Sequence, residues 1–113
     1  MITRIAVTAL ALAATLASTI AAAQNFPTRP MRLIVPLAAG GGMDSVTRNV
    51  ANSFTEALGQ NAVVDNRPGA GSLLAMEILA DAAPDGHTLM MISATTVIYP
   101  LLYKSKLDPV RDF

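Results

Sequence analysis

The sequence predicts an α/β protein built on a parallel sheet. Short runs of branched apolar residues alternate with longer segments whose apolar residues recur at helical spacing, and turns rich in glycine or proline separate them. A strand-helix-strand-helix-strand order requires crossover connections, which join parallel strands in a right-handed sense. We therefore expect a parallel sheet with flanking helices.

The first 23 residues have the order of a secretory signal peptide. A basic start containing Arg4 precedes an uncharged apolar run, and the small residues Ala21–Ala23 come before polar Gln24. The apolar run is shorter than the ~20 residues that a membrane-spanning helix needs. We expect cleavage after Ala23, export to the periplasm, and no membrane insertion of the processed chain.

The processed chain, 24–113, is nearly neutral. The whole sequence has 8 basic and 8 acidic residues, so loss of Arg4 leaves a formal charge of −1. This balance gives neither the basic stripe of a nucleic-acid-binding protein nor a polybasic patch for anionic lipid. With no cysteine and a single histidine, the sequence predicts neither a disulfide framework nor a metal site, and it predicts no cofactor.

The first strand and helix are the clearest elements. Met31–Val35 is a short apolar run bounded by prolines and reads as a buried strand. A helix should follow, with Asp44 or Ser45 as its N-terminal cap and Gly59 just after its end. Its predicted apolar stripe consists of residues four apart: Val46, Val50, Phe54 and Leu58.

The second strand and helix come next. Ala62–Val64 reads as a strand, and Asn66–Gly71 as a loop. Ser72 is predicted to cap a helix that reaches about Ala82.

The remaining elements follow a turn at Pro84–Gly86. Thr88–Ile92 reads as the third strand, and Ser93–Thr96 as a polar loop. From Val97 onward we expect a short helix near Pro100. The chain ends in a turn signal and an aromatic, Asp108–Phe113, from which we expect an incomplete domain that continues in a longer protein.

The position of a ligand site follows from the expected topology. In parallel sheets, ligands bind beyond the carboxyl ends of the strands, where the strand order reverses. If the spatial order is 2-1-3, the loops that meet there are Pro36–Asp44 and Ser93–Thr96.

The first of these loops has chemistry that can be read directly. Gly40–Gly42 joins a strand to a helix start with almost no side chains. Glycines permit positive φ and close approach of a ligand to the backbone, while exposed N–H groups and the helix dipole favour an anion. A tight turn that needs glycine sterically is the alternative. The sequence does not support a nucleotide-binding site. Met43 and Asp44 stand where a phosphate-binding loop has a lysine and a hydroxyl residue. Leu74 stands where the dinucleotide-binding pattern that starts at Gly69 has a glycine or an alanine.

Several motifs occur along the chain in the order that is typical of one known family. The chain resembles the Bug family, the TctC-like substrate-binding proteins of tripartite tricarboxylate transporters, over nearly all of 24–113. The motifs are Phe26–Pro36 followed by Ala38–Asp44, then Asn66–Gly71, Ala83–Gly86, Tyr99–Tyr103 and Asp108–Phe113.

The resemblance implies a two-domain, periplasmic-binding-protein-like (Venus flytrap) receptor, of which 24–113 would be the N-terminal part of domain 1. It implies capture of a small organic acid for membrane transporter subunits of the tripartite type. The ligand-binding residues that it implies are Ala39, Gly40, Gly41, Asp44, Ser93 and Thr95. Leu37, Met43 and His87 depart from the usual family residues, and the first two flank the presumed site.

Other functions have less support. An exported α/β hydrolase or transferase would show a nucleophile elbow, Gly-x-Ser-x-Gly, and none occurs, so we expect no enzyme activity. A receptor used only in sensing remains an alternative.

The polar residues of the presumed site also have structural alternatives. Asp44 could cap a helix, and the hydroxyls of Ser93, Thr95 and Thr96 could satisfy backbone groups at the end of a strand. Arg67 is expected to make a structural hydrogen bond rather than contact the ligand.

Overall fold

The computed structural model describes residues 26–103 and 105–113. The predicted signal peptide therefore lies outside the described residues. Strands and helices alternate along the chain, as the sequence predicts. In order, the elements are β1 (Met31–Val35), α1 (Gly42–Leu58), β2 (Ala62–Asn66), a short 3-10 turn (Ala70–Ser72), α2 (Leu73–Ala80), β3 (Thr88–Met90) and α3 (Ala94–Leu102).

The three strands form a parallel sheet in the order β2-β1-β3, which is the order on which the predicted position of the ligand site depended. β1 is central, and Leu33 is paired with Val64 on one side and Leu89 on the other. Ile34 and Val35 are fully buried, because a strand with neighbours on both sides and helices on the faces has little surface left for solvent.

The lengths of the outer strands differ from the predicted ones. β2 continues two residues past Val64, because the polar side chains there find partners: Arg32 forms an ion pair with Asp65, and Asn66 Nδ2 donates to the Leu37 carbonyl at 3.1 Å. β3 ends at Met90 instead of Ile92, because the chain then turns to start α3.

Helix α1 begins at Gly42 with Gly41 as its N-cap, and within the described part of the chain no side chain caps it. The predicted capping by Asp44 or Ser45 is therefore wrong, since both lie inside the first turn. The other end matches the prediction: Gly59 adopts φ +70°, and its N–H donates to the Thr55 carbonyl at 3.1 Å.

The predicted apolar stripe of α1 is also wrong. Val46 is 54% exposed and Leu58 39%, whereas the buried residues are Asp44, Thr47 and Ala51. Residues four apart drift by about 40° per step around a helix, so the two ends of the predicted stripe point about 120° apart. The face towards the sheet instead carries short side chains, and the hydroxyl of Thr47 is satisfied by the Met43 carbonyl at 2.7 Å.

Before α2 the backbone is left-handed over four consecutive residues, 69–72, which we call the left-handed turn. Its φ values are +138° at Gly69, +44° at Ala70, +61° at Gly71 and +77° at Ser72. Ser72 does not cap α2 through its side chain, contrary to the prediction, and the helix ends at Ala80 instead of Ala82.

Helix α3 starts earlier than predicted. The stretch Ser93–Thr96 is not a loop: Ser93 is the N-cap, and it forms a capping box with Thr96. The sequence pattern hid this start because the box uses threonine where glutamate or glutamine is usual. Among the helices of the described residues, none is long and apolar enough to cross a membrane.

The segment before β1 is held to the turn that precedes β3. His87 is 6% exposed, and its Nε2 accepts a hydrogen bond from the Thr28 N–H at 3.2 Å. The ring of Phe26 packs edge-on to the imidazole at 4.8 Å, and Arg29 pairs with Asp85 at 2.8 Å. These contacts give His87 a structural role.

Candidate functional site

The loop that joins β1 to α1 and contains Gly40–Gly42, which we call the glycine loop, follows β1 at the carboxyl edge of the sheet. Only Gly40 needs its conformational freedom, with φ +84°; Gly41 is extended, with φ −81° and ψ 174°, and Gly42 is helical. Of the three glycines, each of which the sequence predicted to permit positive φ, Gly40 alone uses that freedom. A Cβ at Gly41 would meet only the Ala38 carbonyl at 3.6 Å, and one at Gly42 would meet nothing within 4 Å. Packing among the described residues does not require glycine at 41 or 42.

The N-terminus of α1 offers open hydrogen-bond donors. The first N–H groups of any helix have no acceptor within the helix, and at this end no side chain of the described residues caps them. The helix is 17 residues long, so its dipole adds a partial positive charge at this end. An acceptor that carries negative charge fits this position.

Asp44 braces the loop instead of capping the helix. Its Oδ2 accepts from the Gly40 N–H at 2.9 Å and from Arg48 Nε at 3.0 Å. The side chain is 5% exposed, and Oδ1 has no hydrogen-bond partner among the described residues. The hydrogen bonds from Arg48 and then from Gly40 lower the pKa of Asp44 to about 2. The buried carboxylate is thus ionised at neutral pH, with an arginine beside it.

Acid should weaken this brace in a defined pH range. Because the pKa of Asp44 is lower in the folded state than its ordinary 3.8, its contribution to stability is present above pH 3.8 and is lost as the pH falls towards about 2. In the complete protein, the difference in free energy of unfolding between parent and Asp44→Asn should shrink across this range. Urea unfolding at several pH values measures it.

The matched variant for this prediction is Arg48→Met, which removes the first cause of the lowered pKa. The contribution of Asp44 to stability should then be smaller, and its loss should be complete at a higher pH, nearer 3.8. A parent and an Asp44→Asn variant that differ by the same amount at pH 2 and pH 5 would show that Asp44 has no such role.

The second predicted loop lies beyond β3, the direct neighbour of β1. Pairing between these strands continues to their ends, where the Met91 N–H donates to the Ile34 carbonyl at 2.9 Å. Both predicted loops therefore leave the same edge of the sheet. Ser93 and Thr95 stand together there, with their hydroxyl oxygens 2.7 Å apart.

Sequence reasoning missed three polar residues of this edge. Ser72, read as a helix cap, places its hydroxyl 3.1 Å from that of Thr95. Arg48 pairs with Asp44, and the i, i+4 spacing of these two residues was a signal that could have found the pair. Asn66, read as the start of a loop, ties β2 to the residue after Pro36 through the Leu37 carbonyl.

The arginine of the second motif forms a structural hydrogen bond, but to a residue of β2 and not to the loop that was expected. Arg67 Nε donates to Asp65 Oδ1 at 2.9 Å. Within residues 26–103 and 105–113, no three His, Cys, Asp or Glu side chains come together as a metal site would require.

The parallel sheet and its flanking helices form an incomplete α/β domain, and the solved structures that resemble it are periplasmic binding proteins. A ligand-free TctC solute binding protein from Polaromonas aligns with a TM-score of 0.69 at 31% identity, over 74% of this chain and 29% of that one. MatC of Rhodopseudomonas palustris, solved with bound malate, aligns with a TM-score of 0.55 at 45% identity, over 57% of this chain and 22% of its own.

The chain belongs to the tripartite tricarboxylate transporter family receptor group, TctC, whose family match covers residues 46–113. A UPF0065 protein of Bordetella pertussis is 42% identical over 106 residues, which are 93% of this chain and 32% of that protein. Protein BugT of the same organism is 40% identical over 73 residues, 65% of this chain and 22% of its own length. The chain thus spans about a third or less of these relatives. The resemblance read from the motifs is confirmed.

Proposed function

We propose that this chain forms one wall of a receptor that captures a small carboxylate for a tripartite tricarboxylate-type transporter. One observation carries the proposal: the N-terminus of α1 is uncapped and glycine-lined, and it lies at the carboxyl edge of the sheet. By contrast, the N-terminus of α3 at the same edge is occupied by its own Ser93–Thr96 capping box. The open end of α1 suits a carboxylate, which accepts several N–H bonds at once.

The proposed ligand contacts divide into two groups. Ala39, Gly40 and Gly41 supply backbone groups, and Asp44 holds the loop from behind. Thr95 supplies a hydroxyl, and Ser93 positions that hydroxyl through their hydrogen bond. Support for the ligand class comes from MatC, a structural relative that was solved with malate.

The remaining parts of the proposal concern the whole protein. Residues 1–23 act as the signal peptide, 24–113 belong to the first domain of a two-domain receptor, and the processed protein works in the periplasm. It delivers its ligand to membrane subunits of the transporter and releases it chemically unchanged.

Carboxylates should stabilise the complete protein. Malate, succinate and citrate are the probes, and a bound one at 100 times its Kd adds about 2.7 kcal/mol to the free energy of unfolding. The melting temperature should therefore rise by about 5 °C or more. Differential scanning fluorimetry measures the rise, and NMR of the recovered probe should show no turnover.

The neutral diamide of malic acid, malamide, is the matched control, since it has the same carbon skeleton without the charges. Its shift should be much smaller than that of malate. A protein that is stabilised by none of the three acids, or equally by malate and malamide, would contradict the proposal.

A further inference from the structure

Four hydroxyl groups form a connected set at the carboxyl edge of the sheet; we call it the hydroxyl cluster. The oxygen–oxygen distances are 3.1 Å between Ser72 and Thr95, 2.7 Å between Thr95 and Ser93, and 3.1 Å between Ser93 and Thr96. The two end members are buried, with Ser72 2% exposed and Thr96 1% exposed, whereas Thr95 is exposed to solvent.

The direction of each hydrogen bond follows from counting donors and lone pairs. A hydroxyl has one hydrogen and two acceptor lone pairs. Thr96 Oγ1 accepts a hydrogen bond from the Ser93 N–H at 3.1 Å. The hydroxyl hydrogen of Thr96 also needs an acceptor, and among the described residues Ser93 Oγ is the one within reach, so Thr96 donates to Ser93. Ser93 Oγ also accepts from the Thr96 N–H at 3.4 Å. Both lone pairs of Ser93 are then used, so its hydrogen goes to Thr95.

The other end of the cluster is fixed by burial. Ser72 Oγ contacts only Thr95 Oγ1 among the described residues, and a buried hydroxyl hydrogen without an acceptor is costly. Ser72 therefore donates to Thr95. Thr95 then accepts from both Ser72 and Ser93, which fills its lone pairs, and its own hydrogen is left to point outward.

We propose that Ser72 is a positioning residue of the ligand site, which makes the exposed hydroxyl of Thr95 a pure donor and so favours a carboxylate oxygen over a neutral group. This inference rests on the proposed function, since it assigns Thr95 to the carboxylate site. Ser72 acts through Thr95 and does not itself touch the ligand. Ser93 likewise acts through Thr95, because its hydrogen and lone pairs are engaged within the cluster.

The backbone at Ser72 supports a role beyond packing. Its φ of +77° lies in the region that favours glycine, and its side chain does not cap α2. Glycine would fit this backbone with less strain but without the hydroxyl. Strained residues of this kind persist where the surrounding structure holds them in place. Here the ring of Tyr99 packs against Gly71, the residue before Ser72.

The test uses Ser72→Gly and Ser72→Thr in the complete protein, with isothermal titration of whichever of malate, succinate and citrate binds the parent most tightly. Ser72→Gly relieves the strained φ, so its melting temperature should stay near the parental value while its affinity falls about 10-fold, as expected for one weakened charge-assisted hydrogen bond. Ser72→Thr keeps the hydroxyl but puts a β-branched residue at positive φ, so its stability should fall while its affinity stays close to the parental value. If Ser72 had only a structural role, the melting temperature and the ligand affinity would fall together in both variants.

Thr95→Val separates this inference from the proposed function. Loss of affinity in Thr95→Val together with parental affinity in Ser72→Gly would overturn the role of Ser72 and leave the carboxylate site standing. Parental affinity in Thr95→Val would overturn the inference at its contact with the ligand. If the parent binds none of the acids, the proposed function and this inference both fail.

Discussion

Replacing Gly41 with leucine is expected to reduce carboxylate affinity by at least about 100-fold without unfolding the protein. The loss of two charge-assisted hydrogen bonds, at about 1.5–3 kcal/mol each, accounts for a change of this size. The fold should tolerate the substitution because Gly41 is extended, with φ −81°, and a Cβ would meet only the Ala38 carbonyl at 3.6 Å. The added side chain would instead occupy the space where the ligand approaches the N-terminus of α1. Titration calorimetry and thermal unfolding of the complete protein measure the two effects.

The control for this prediction is Asn52→Leu, which adds the same side chain to an exposed position of the same helix. Residue 52 lies about 15 Å along the helix from its start, given a rise of 1.5 Å per residue. Its affinity should be parental. Undiminished binding by Gly41→Leu would show that the glycine loop is not the ligand site.

Gly71→Ala is expected to be the most destabilising of the glycine-to-alanine substitutions. A Cβ at this position would lie 1.9 Å from Cδ2 of Tyr99, and the backbone has φ +61°. Overpacking costs about 1–3 kcal/mol, and a left-handed backbone costs a residue other than glycine about 1–2 kcal/mol. We therefore expect the free energy of unfolding to fall by about 2–5 kcal/mol in urea unfolding of the complete protein.

Gly59→Ala separates these two contributions. It has a similar φ of +70°, but a Cβ there would meet nothing within 4 Å. Its cost should be that of the backbone alone. The clash itself is tested by a double-mutant cycle with Tyr99→Ala, in which the two substitutions together should cost less than the sum of their separate costs. Additive costs would place the penalty outside the contact with Tyr99.

The sheet was the part of the fold that the sequence could predict. The apolar run Met31–Val35 and the alternation with helices predict a buried strand in a parallel sheet, whereas the order β2-β1-β3 was only supposed from the sequence and is established by the structure. The buried face of α1 was missed for a physical reason. Burial of Thr47 depends on a local hydrogen bond to the Met43 carbonyl, and hydropathy takes no account of such a bond.

The sequence predicted which loops form the candidate site, but not the directions in which their side chains point. A glycine run between a strand and a helix predicts exposed N–H groups at the helix start, but the sequence also suggested a cap by Asp44 or Ser45, which the structure does not show. The role of Ser72 could not be read in this way. Serine before an apolar run usually signals a helix cap, whereas here the left-handed backbone turns the hydroxyl towards Thr95, 23 residues further along the chain.

The hydrogen bond between Asp44 and Gly40 determines whether the glycine loop loses its conformational entropy on folding or on ligand binding. Ordering the backbone costs about 1–2 kcal/mol per residue, and glycine has the most freedom to lose. The hydrogen bond from the Gly40 N–H to Asp44 and that from Asn66 to the Leu37 carbonyl hold both ends of the loop through contacts within the protein. The entropic cost of ordering Leu37–Gly41 therefore falls on folding and not on association, so a ligand meets a preorganised surface at this wall.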